Sequence, residues 1–315
     1  MKVLFGAPEE AWGGMMYKLA AELPELEFTA AGSYDVTSLA GFDILIPTMT
    51  PVSSELLQTA TQLKLIQQIG AGLEGVDLDT AREQQIAVAN VPTDKSGNAD
   101  SVAELGILMM LSLIRNFSAV PEALANGALG QPRGRTLLGS KAVIVGLGGL
   151  GEAFAVRLHG FGMQLRGVRR RVDEEQAQRL GLEQVFPVAE IKTAISDADF
   201  VILTLPDSAE TRGLFNADML SAMRPGSFLI NVGRGGLVER DALFDALASG
   251  HLAGAGLDVF WQEPPDANDP IFSLNVVATP HIGGVTDIAQ LGIFRAVSDN
   301  LRRLQKGQEL LYRAV

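Results

Sequence analysis

The residues best suited to chemistry are an arginine, an aspartate, a glutamate and a histidine in the last third of the chain, all but the aspartate directly beside glycine or proline. Arg234 sits in Ile230-Asn231-Val232-Gly233-Arg234-Gly235-Gly236-Leu237-Val238. Asp258 closes Gly256-Leu257-Asp258, and Glu263 precedes Pro264. His281 stands in Thr279-Pro280-His281-Ile282-Gly283-Gly284. A guanidinium can fork two hydrogen bonds onto a carboxylate. An imidazole can pass a proton near neutral pH. These types together suit binding an anion and transferring a proton.

Upstream, Gly146-Leu147-Gly148-Gly149-Leu150-Gly151 fits G-x-G-x-x-G, directly after an apolar strand pattern and directly before a helical one. That context points to a dinucleotide. Gly146 permits the tight turn, Gly148 lets backbone approach a pyrophosphate, and Gly151 permits close helix–strand packing. Gly149 and Leu150 open the helix, whose first N–H groups are unpaired and face an anion. Such units usually carry an acid ~20 residues on for the ribose 2′-OH. Here that stretch reads Arg166-Gly167-Val168-Arg169-Arg170-Arg171, and no acid comes before Asp173. Arg169 and Arg170 could instead pair with a 2′-phosphate. NADP(H) is therefore expected over NAD(H).

The elements that must position these residues alternate short apolar runs with longer amphipathic ones, which predicts α/β architecture with parallel sheets. Strands are expected at Val3–Phe5, Asp43–Ile46 and Leu65–Ile69, with helices at Ala11–Leu23 and around Ser53–Thr61. A long helix runs from Ala99 to about Arg115, and Ser118–Arg135 reads as a connection. After Lys141 come strands at Ala142–Val145, Leu165–Val168, Phe200–Leu205, Phe228–Val232, Gly254–Asp258 and Val276–Ala278. A helix follows the glycine loop to about His159, and another spans Asp287 to about Gln305. Arg234, Asp258, Glu263 and His281 thus fall at or just after carboxyl ends of strands, the edge where open parallel sheets bind ligands.

Composition narrows the classes. The chain has 315 residues, enough for two domains, and 34 are glycine. With 25 Lys and Arg against 37 Asp and Glu, the net charge is −12, so the basic footprint of a nucleic-acid binder is missing and anions must be caught locally. There is no cysteine, which removes disulfides, thiolate metal sites and a thiol nucleophile. His159, His251 and His281 are too scattered for a metal cluster, so no metal is expected. His159 reads as a helix-end residue and His251 as part of a helix stop. Met15, Met16, Met109 and Met110 read as core. No signal-peptide or membrane-span pattern is present, and a cytoplasmic location is the expectation.

Taken in order, these segments resemble the D-isomer-specific 2-hydroxyacid dehydrogenases. The likeness covers nearly the whole chain. It includes the glycine loop, Thr204-Leu205-Pro206, the Arg, Glu and His segments, and Gly97-Asn98-Ala99-Asp100-Ser101-Val102-Ala103-Glu104. It implies two Rossmann-like domains: a flavodoxin-like substrate domain from 1–97 and 286–315, and a dinucleotide domain of 98–285 inserted within it. By the same likeness His281 is the acid/base, Glu263 its partner and Arg234 the substrate-binding arginine. Leu205, Pro206, Val232, Gly233, Asp258, Gly283 and Gly284 line the cofactor, with Arg234 and His281 beside it. The loop Gly70-Ala71-Gly72-Leu73-Glu74-Gly75 would hold a substrate carboxylate through the amides of Ala71 and Gly72.

The expected activity is NADP(H)-dependent reduction of a small 2-oxo acid, glyoxylate or hydroxypyruvate being favoured. The expected assembly is a homodimer using the long helix, with hinges near Thr93–Ala99 and Gly283–Asp287. The connection at Asn126–Pro132 lacks the aromatic residue common in relatives, so substrate size stays open. The Glu–His pair argues against formate dehydrogenases, which carry glutamine there. The alternatives are a cofactor-sensing regulator resembling the related corepressors, or a relative acting on another acid such as phosphite.

Overall fold

A computed structural model describes residues 1–315. In chain order its first elements are β1 (Lys2–Phe5), α1 (Ala11–Glu22), β2 (Glu27–Ala30), β3 (Ile44–Ile46), α2 (Ser54–Gln58), β4 (Leu65–Gln67), α3 (Leu78–Glu83) and β5 (Ala87–Ala89). There follow α4 (Asn98–Ile114), α5 (Val120–Ala125), β6 (Lys141–Val145), α6 (Gly149–Gly160), β7 (Gln164–Arg169), α7 (Glu174–Arg179), β8 (Gln184–Pro187), α8 (Ile191–Ile195) and β9 (Phe200–Leu203). The chain ends with α9 (Ala217–Ser221), β10 (Ser227–Asn231), α10 (Arg240–Ala248), β11 (Leu252–Leu257), β12 (Val276–Ala278) and α11 (Asp287–Gln305).

Two compact units result: Met1–Asn98 with Val285–Val315, and Ala99–Gly284. The first carries a five-stranded parallel sheet in the order β2-β1-β3-β4-β5, which is the flavodoxin-like order. Val3, Phe5, Ile44 and Ile46 face α1 and the returning α11, where Val297 and Leu301 are fully buried. Leu4, Leu45, Ile66 and Val88 face the opposite way, toward α2 and α3. Burial on both faces is what makes these strands continuous apolar runs instead of alternating ones.

The second unit has seven parallel strands in the order β12-β11-β10-β9-β6-β7-β8. Counted within the unit this is the Rossmann order 3-2-1-4-5-6 with one strand added. Ile144, Ile202 and Ile230 pack under α4 and α6, and Phe200 stacks on Phe228 with centroids 5.1 Å apart. Val143, Val201 and Leu229 serve the other face, beneath α8, α9 and α10. Met15, Met16, Met109 and Met110 are all buried.

Three strands were not expected from sequence: β2, β5 and β8. Each is an outermost or near-outermost strand of three or four residues, so pairing with a neighbour defines it more than its own composition does. The connection Ser118–Arg135 also contains the short helix α5, begun with proline in its first turn. Helix α1 begins irregularly. Trp12, Gly13 and Gly14 adopt left-handed φ values of 55°, 66° and 72°, so regular helix starts only after them. No single helix is long and apolar enough to cross a membrane.

Candidate active site

The glycine turn follows β6, the central strand of the second unit. Gly146 has φ +105°, and a Cβ there would lie 2.9 Å from both Leu205 Cδ2 and Thr204 Oγ1. Thr204 Oγ1 donates to the Gly146 carbonyl at 2.7 Å, so the end of β9 locks the turn. A Cβ on Gly151 would lie 1.9 Å from the Gly146 carbonyl oxygen, whereas one on Gly148 would meet nothing within 4 Å. One glycine therefore serves close backbone packing and the other faces open space. Gly148 is the N-cap of α6 and offers no side chain to it. The N–H groups at the start of α6, from Gly149 and Leu150 onward, are left for an outside acceptor. The chain's own residues thus fit a dinucleotide pyrophosphate.

Arg169 ends β7 and Arg170 follows it. Arg169 Nη1 donates to Gln176 Oε1 and lies 3.6 Å from Asp173 Oδ2. Arg170 is largely exposed and pairs with Glu210 at 3.4 Å. Asp173 itself caps α7, accepting from the Gln176 N–H at 2.9 Å.

The chemistry-bearing side chains come from β10, β11 and β12, three adjacent parallel strands whose carboxyl ends lie side by side. Asn231, at the end of β10, holds the arginine loop: it donates to the Arg234 carbonyl at 2.9 Å and accepts from the Gly233 N–H at 3.2 Å. Val232 is buried beneath. A Cβ on Gly233 would lie 2.7 Å from the Leu205 carbonyl, and one on Gly235 1.9 Å from that of Phe260. These glycines let the β9, β10 and β11 loops approach closely. Pro206, next along, accepts at its carbonyl from Thr211 Oγ1 at 2.7 Å.

Asp258 is nearly fully buried at the end of β11. It accepts from Thr279 Oγ1 at 2.6 Å and from the Ile282 and Gly283 N–H groups at 2.9 Å each. Its visible job is to fix the histidine loop, in which His281 adopts φ 55°. Gly284 closes that loop and the unit. His281 Nδ1 lies 2.7 Å from Glu263 Oε2, while Glu263 Oε1 accepts from the Phe260 N–H at 3.1 Å. Burial pushes the Glu263 carboxyl up. The His281 hydrogen bond and charge, the Phe260 N–H and the Arg234 guanidinium outweigh it and hold the carboxyl below its usual range. An ionised Glu263 only accepts, so His281 Nδ1 carries a proton and Nε2 is left to exchange one.

In the first unit, the loop after β4 is tied to the end of β5. The Gly70 carbonyl accepts from the Val91 N–H at 3.0 Å, and the Ala71 carbonyl from Asn90 Nδ2 at 2.7 Å. The N–H groups of Ala71 and Gly72 bond to no group of the chain. His159 lies against Gly181, and His251 against the Leu220 carbonyl at 3.1 Å. Both are remote from the arginine and histidine loops in chain and in bonding.

Sequence reasoning passed over Asn231, Thr279, Asn90 and Gln176. Asn231 had a readable signal, since a polar residue follows the apolar run Phe228-Leu229-Ile230 at the end of the strand. The others act through partners distant in sequence and left no pattern.

Residues 107–283 match the family described as D-isomer specific 2-hydroxyacid dehydrogenase, NAD binding domain. The chain is 32% identical over 268 residues to D-3-phosphoglycerate dehydrogenase of Methanocaldococcus jannaschii, covering 84% of this chain and 50% of that protein. It spans about half the length of the curated D-3-phosphoglycerate dehydrogenases it matches. It is 34% identical to glyoxylate reductase of Thermococcus litoralis, covering 84% of this chain and 81% of that one. The structure resembles that of D-lactate dehydrogenase from Aquifex aeolicus complexed with NAD and lactic acid, with TM-score 0.86, 25% identity and coverage of 98% and 96%. The paired sheets, the glycine turn and the His281–Glu263 pair at adjoining strand ends accord with these likenesses, and the chain belongs to the D-isomer-specific 2-hydroxyacid dehydrogenase family.

Proposed function

We propose that the protein is an NADP(H)-dependent reductase of a small 2-oxo acid, with glyoxylate or hydroxypyruvate as substrate. The observation that carries this reading is the 2.7 Å His281–Glu263 pair, within electrostatic reach of Arg234 at one sheet edge. The 34% identity to a glyoxylate reductase, over 84% of this chain and 81% of that one, supports the small substrate.

When bound, the nicotinamide supplies the hydride. His281 Nε2 holds the proton that the carbonyl oxygen takes up as the alkoxide forms. Glu263 keeps the ring oriented through its bond to Nδ1. Arg234 presents its guanidinium to the substrate's carboxylate and carbonyl, where a planar fork serves better than a lysine would. In the first unit, the unpaired amides of Ala71 and Gly72 are suited to an anion such as a carboxylate. Gly146, Gly148, Gly149, Leu150 and Gly151 cradle the pyrophosphate. Leu205, Pro206, Val232, Gly233, Gly283 and Gly284 line the nicotinamide side, with Asp258 behind the histidine loop. Arg169 and Arg170 receive the 2′-phosphate.

The second unit leaves Leu108, Leu124, Leu129, Val156 and Phe161 exposed. Such apolar surface suits a partner, and the reading is a homodimer in the cytoplasm. The test is a panel of glyoxylate, hydroxypyruvate and pyruvate with NADPH and with NADH, run beside 3-phosphoglycerate oxidation. Turnover of glyoxylate or hydroxypyruvate with NADPH at least ten times more efficient than with NADH is expected. Equal efficiency with NADH would remove the cofactor assignment. Turnover confined to 3-phosphoglycerate would remove the substrate assignment.

A further inference from the structure

The NADP(H) reading assigns Arg169 to a 2′-phosphate, and the surroundings of that side chain assign a role to a residue outside every recognisable motif. Gln176 lies in α7, and its amide touches three separate segments. Nε2 donates to the Leu147 carbonyl in the glycine turn at 3.1 Å and to Glu152 Oε1 in the first turn of α6 at 2.6 Å. Both partners there are pure acceptors, so they take both amide protons and fix which end of the amide is which. Oε1 can then point only one way, and there it accepts from Arg169 Nη1. The backbone N–H of Gln176 is held in turn by Asp173, and Arg179 lies 2.9 Å from Glu152, offsetting its charge.

Arg169 has five guanidinium donors. One nitrogen, Nη1, is held by Gln176 with Asp173 nearby. Nε and Nη2 bond to no group of the chain and remain for an incoming anion. A guanidinium fixed at one nitrogen has already lost the rotamer freedom that binding would otherwise remove. Gln176 also joins that guanidinium to the turn that would hold the pyrophosphate, through Leu147. To the β6–β7 pairing and the Gly146 N–H to Val168 carbonyl bond that already join the two anion sites, it adds a side-chain tie that fixes where the guanidinium itself lies.

We propose that Gln176 is a positioning residue for cofactor choice: it holds Arg169 ready for a 2′-phosphate and spaces that charge from the glycine turn. The inference rests on the NADP(H) reading. Its signature is a loss of affinity confined to ligands bearing the 2′-phosphate. A residue that merely stabilised the turn would affect all adenine nucleotides alike.

The test is calorimetric titration of the full chain with 2′,5′-ADP and with 5′-ADP, for wild type, Q176A, Q176M and R169A. Thermal melts check that each variant is folded. The Q176A and Q176M variants are expected to weaken 2′,5′-ADP roughly three- to tenfold, the scale of one ordinary net hydrogen bond, and to shift 5′-ADP by less than twofold. The ratio of the NADPH KM to the NADH KM should rise in step. Unchanged 2′,5′-ADP affinity in both Gln176 variants would overturn the proposal, as would equal weakening of both nucleotides. The R169A arm separates the two ideas. If R169A weakens 2′,5′-ADP selectively and the Gln176 variants do not, only the positioning role fails. If R169A changes neither nucleotide, the NADP(H) reading itself fails.

Discussion

Gly148→Ala separates stability from cofactor binding, and the structure sets both expectations. Gly148 has φ −83° and ψ −168°, a conformation that alanine adopts freely. Its added Cβ would meet nothing within 4 Å. The folded state therefore gains no clash, while the unfolded chain loses freedom. Such substitutions stabilise by about 0.4–1 kcal/mol, while alanine is a poorer N-cap than glycine by a similar amount. At roughly 2–4 °C per kcal/mol for a domain of this size, Tm should stay within about 4 °C of wild type. The new methyl projects from the N-cap of α6 into the space assigned to the pyrophosphate. Displacing the phosphates enough to lose one charge-assisted hydrogen bond costs about 1.5–3 kcal/mol, or roughly a ten- to hundredfold loss of affinity. The assay is a thermal melt alongside fluorescence titration with NADPH. Gly151→Ala is the contrast, because its Cβ would lie 1.9 Å from the Gly146 carbonyl oxygen and must force the turn apart. That variant should lower Tm by several degrees as well as weaken binding. NADPH affinity at wild-type level in Gly148→Ala would refute the placement of the phosphates. A drop in Tm equal to that of Gly151→Ala would refute the reading of open space.

Gly235→Ala places a Cβ 1.9 Å from the Phe260 carbonyl oxygen and 2.7 Å from the Trp261 nitrogen, so the β10 and β11 loops must separate. Misplacing catalytic groups by about 1 Å can cost roughly a hundredfold in rate, and kcat should fall accordingly; near-normal kcat would mean the loops do not fix the site. Glu263 has a folded-state carboxyl below its ordinary value, so its contribution to stability is present above the unfolded pKa and is lost as pH falls through the folded one. Melts of Glu263→Gln from pH 6 to pH 3 should show a flatter acid decline than wild type, and parallel curves would count against the His281–Glu263 pair.

Much of this was legible because short-range physics wrote it into local pattern. The glycine turn needs particular residues at particular spacings, and Gly146 and Gly151 now show why: one adopts a positive φ and the other admits a carbonyl at 1.9 Å. The apolar runs at Ile144–Val145, Val201–Leu203 and Leu229–Ile230 announced strands buried on both faces. Arg234, Glu263 and His281 were readable as strand-end residues. The edge strands β2 and β8 were not legible, since pairing with one neighbour creates them and their own composition is ordinary.

What the sequence determined by itself was the order of the elements and the residue types at their ends. Only the tertiary structure decided which ends meet. The strand order β12-β11-β10 brings the histidine, glutamate and arginine loops together although they are separated along the chain. Burial and three donors turned Asp258 into the anchor of the histidine loop. Gln176 became the link between Arg169 and the glycine turn because an amide with both protons engaged has one acceptor direction left. These are relations between side chains far apart in sequence, and no local periodicity records them.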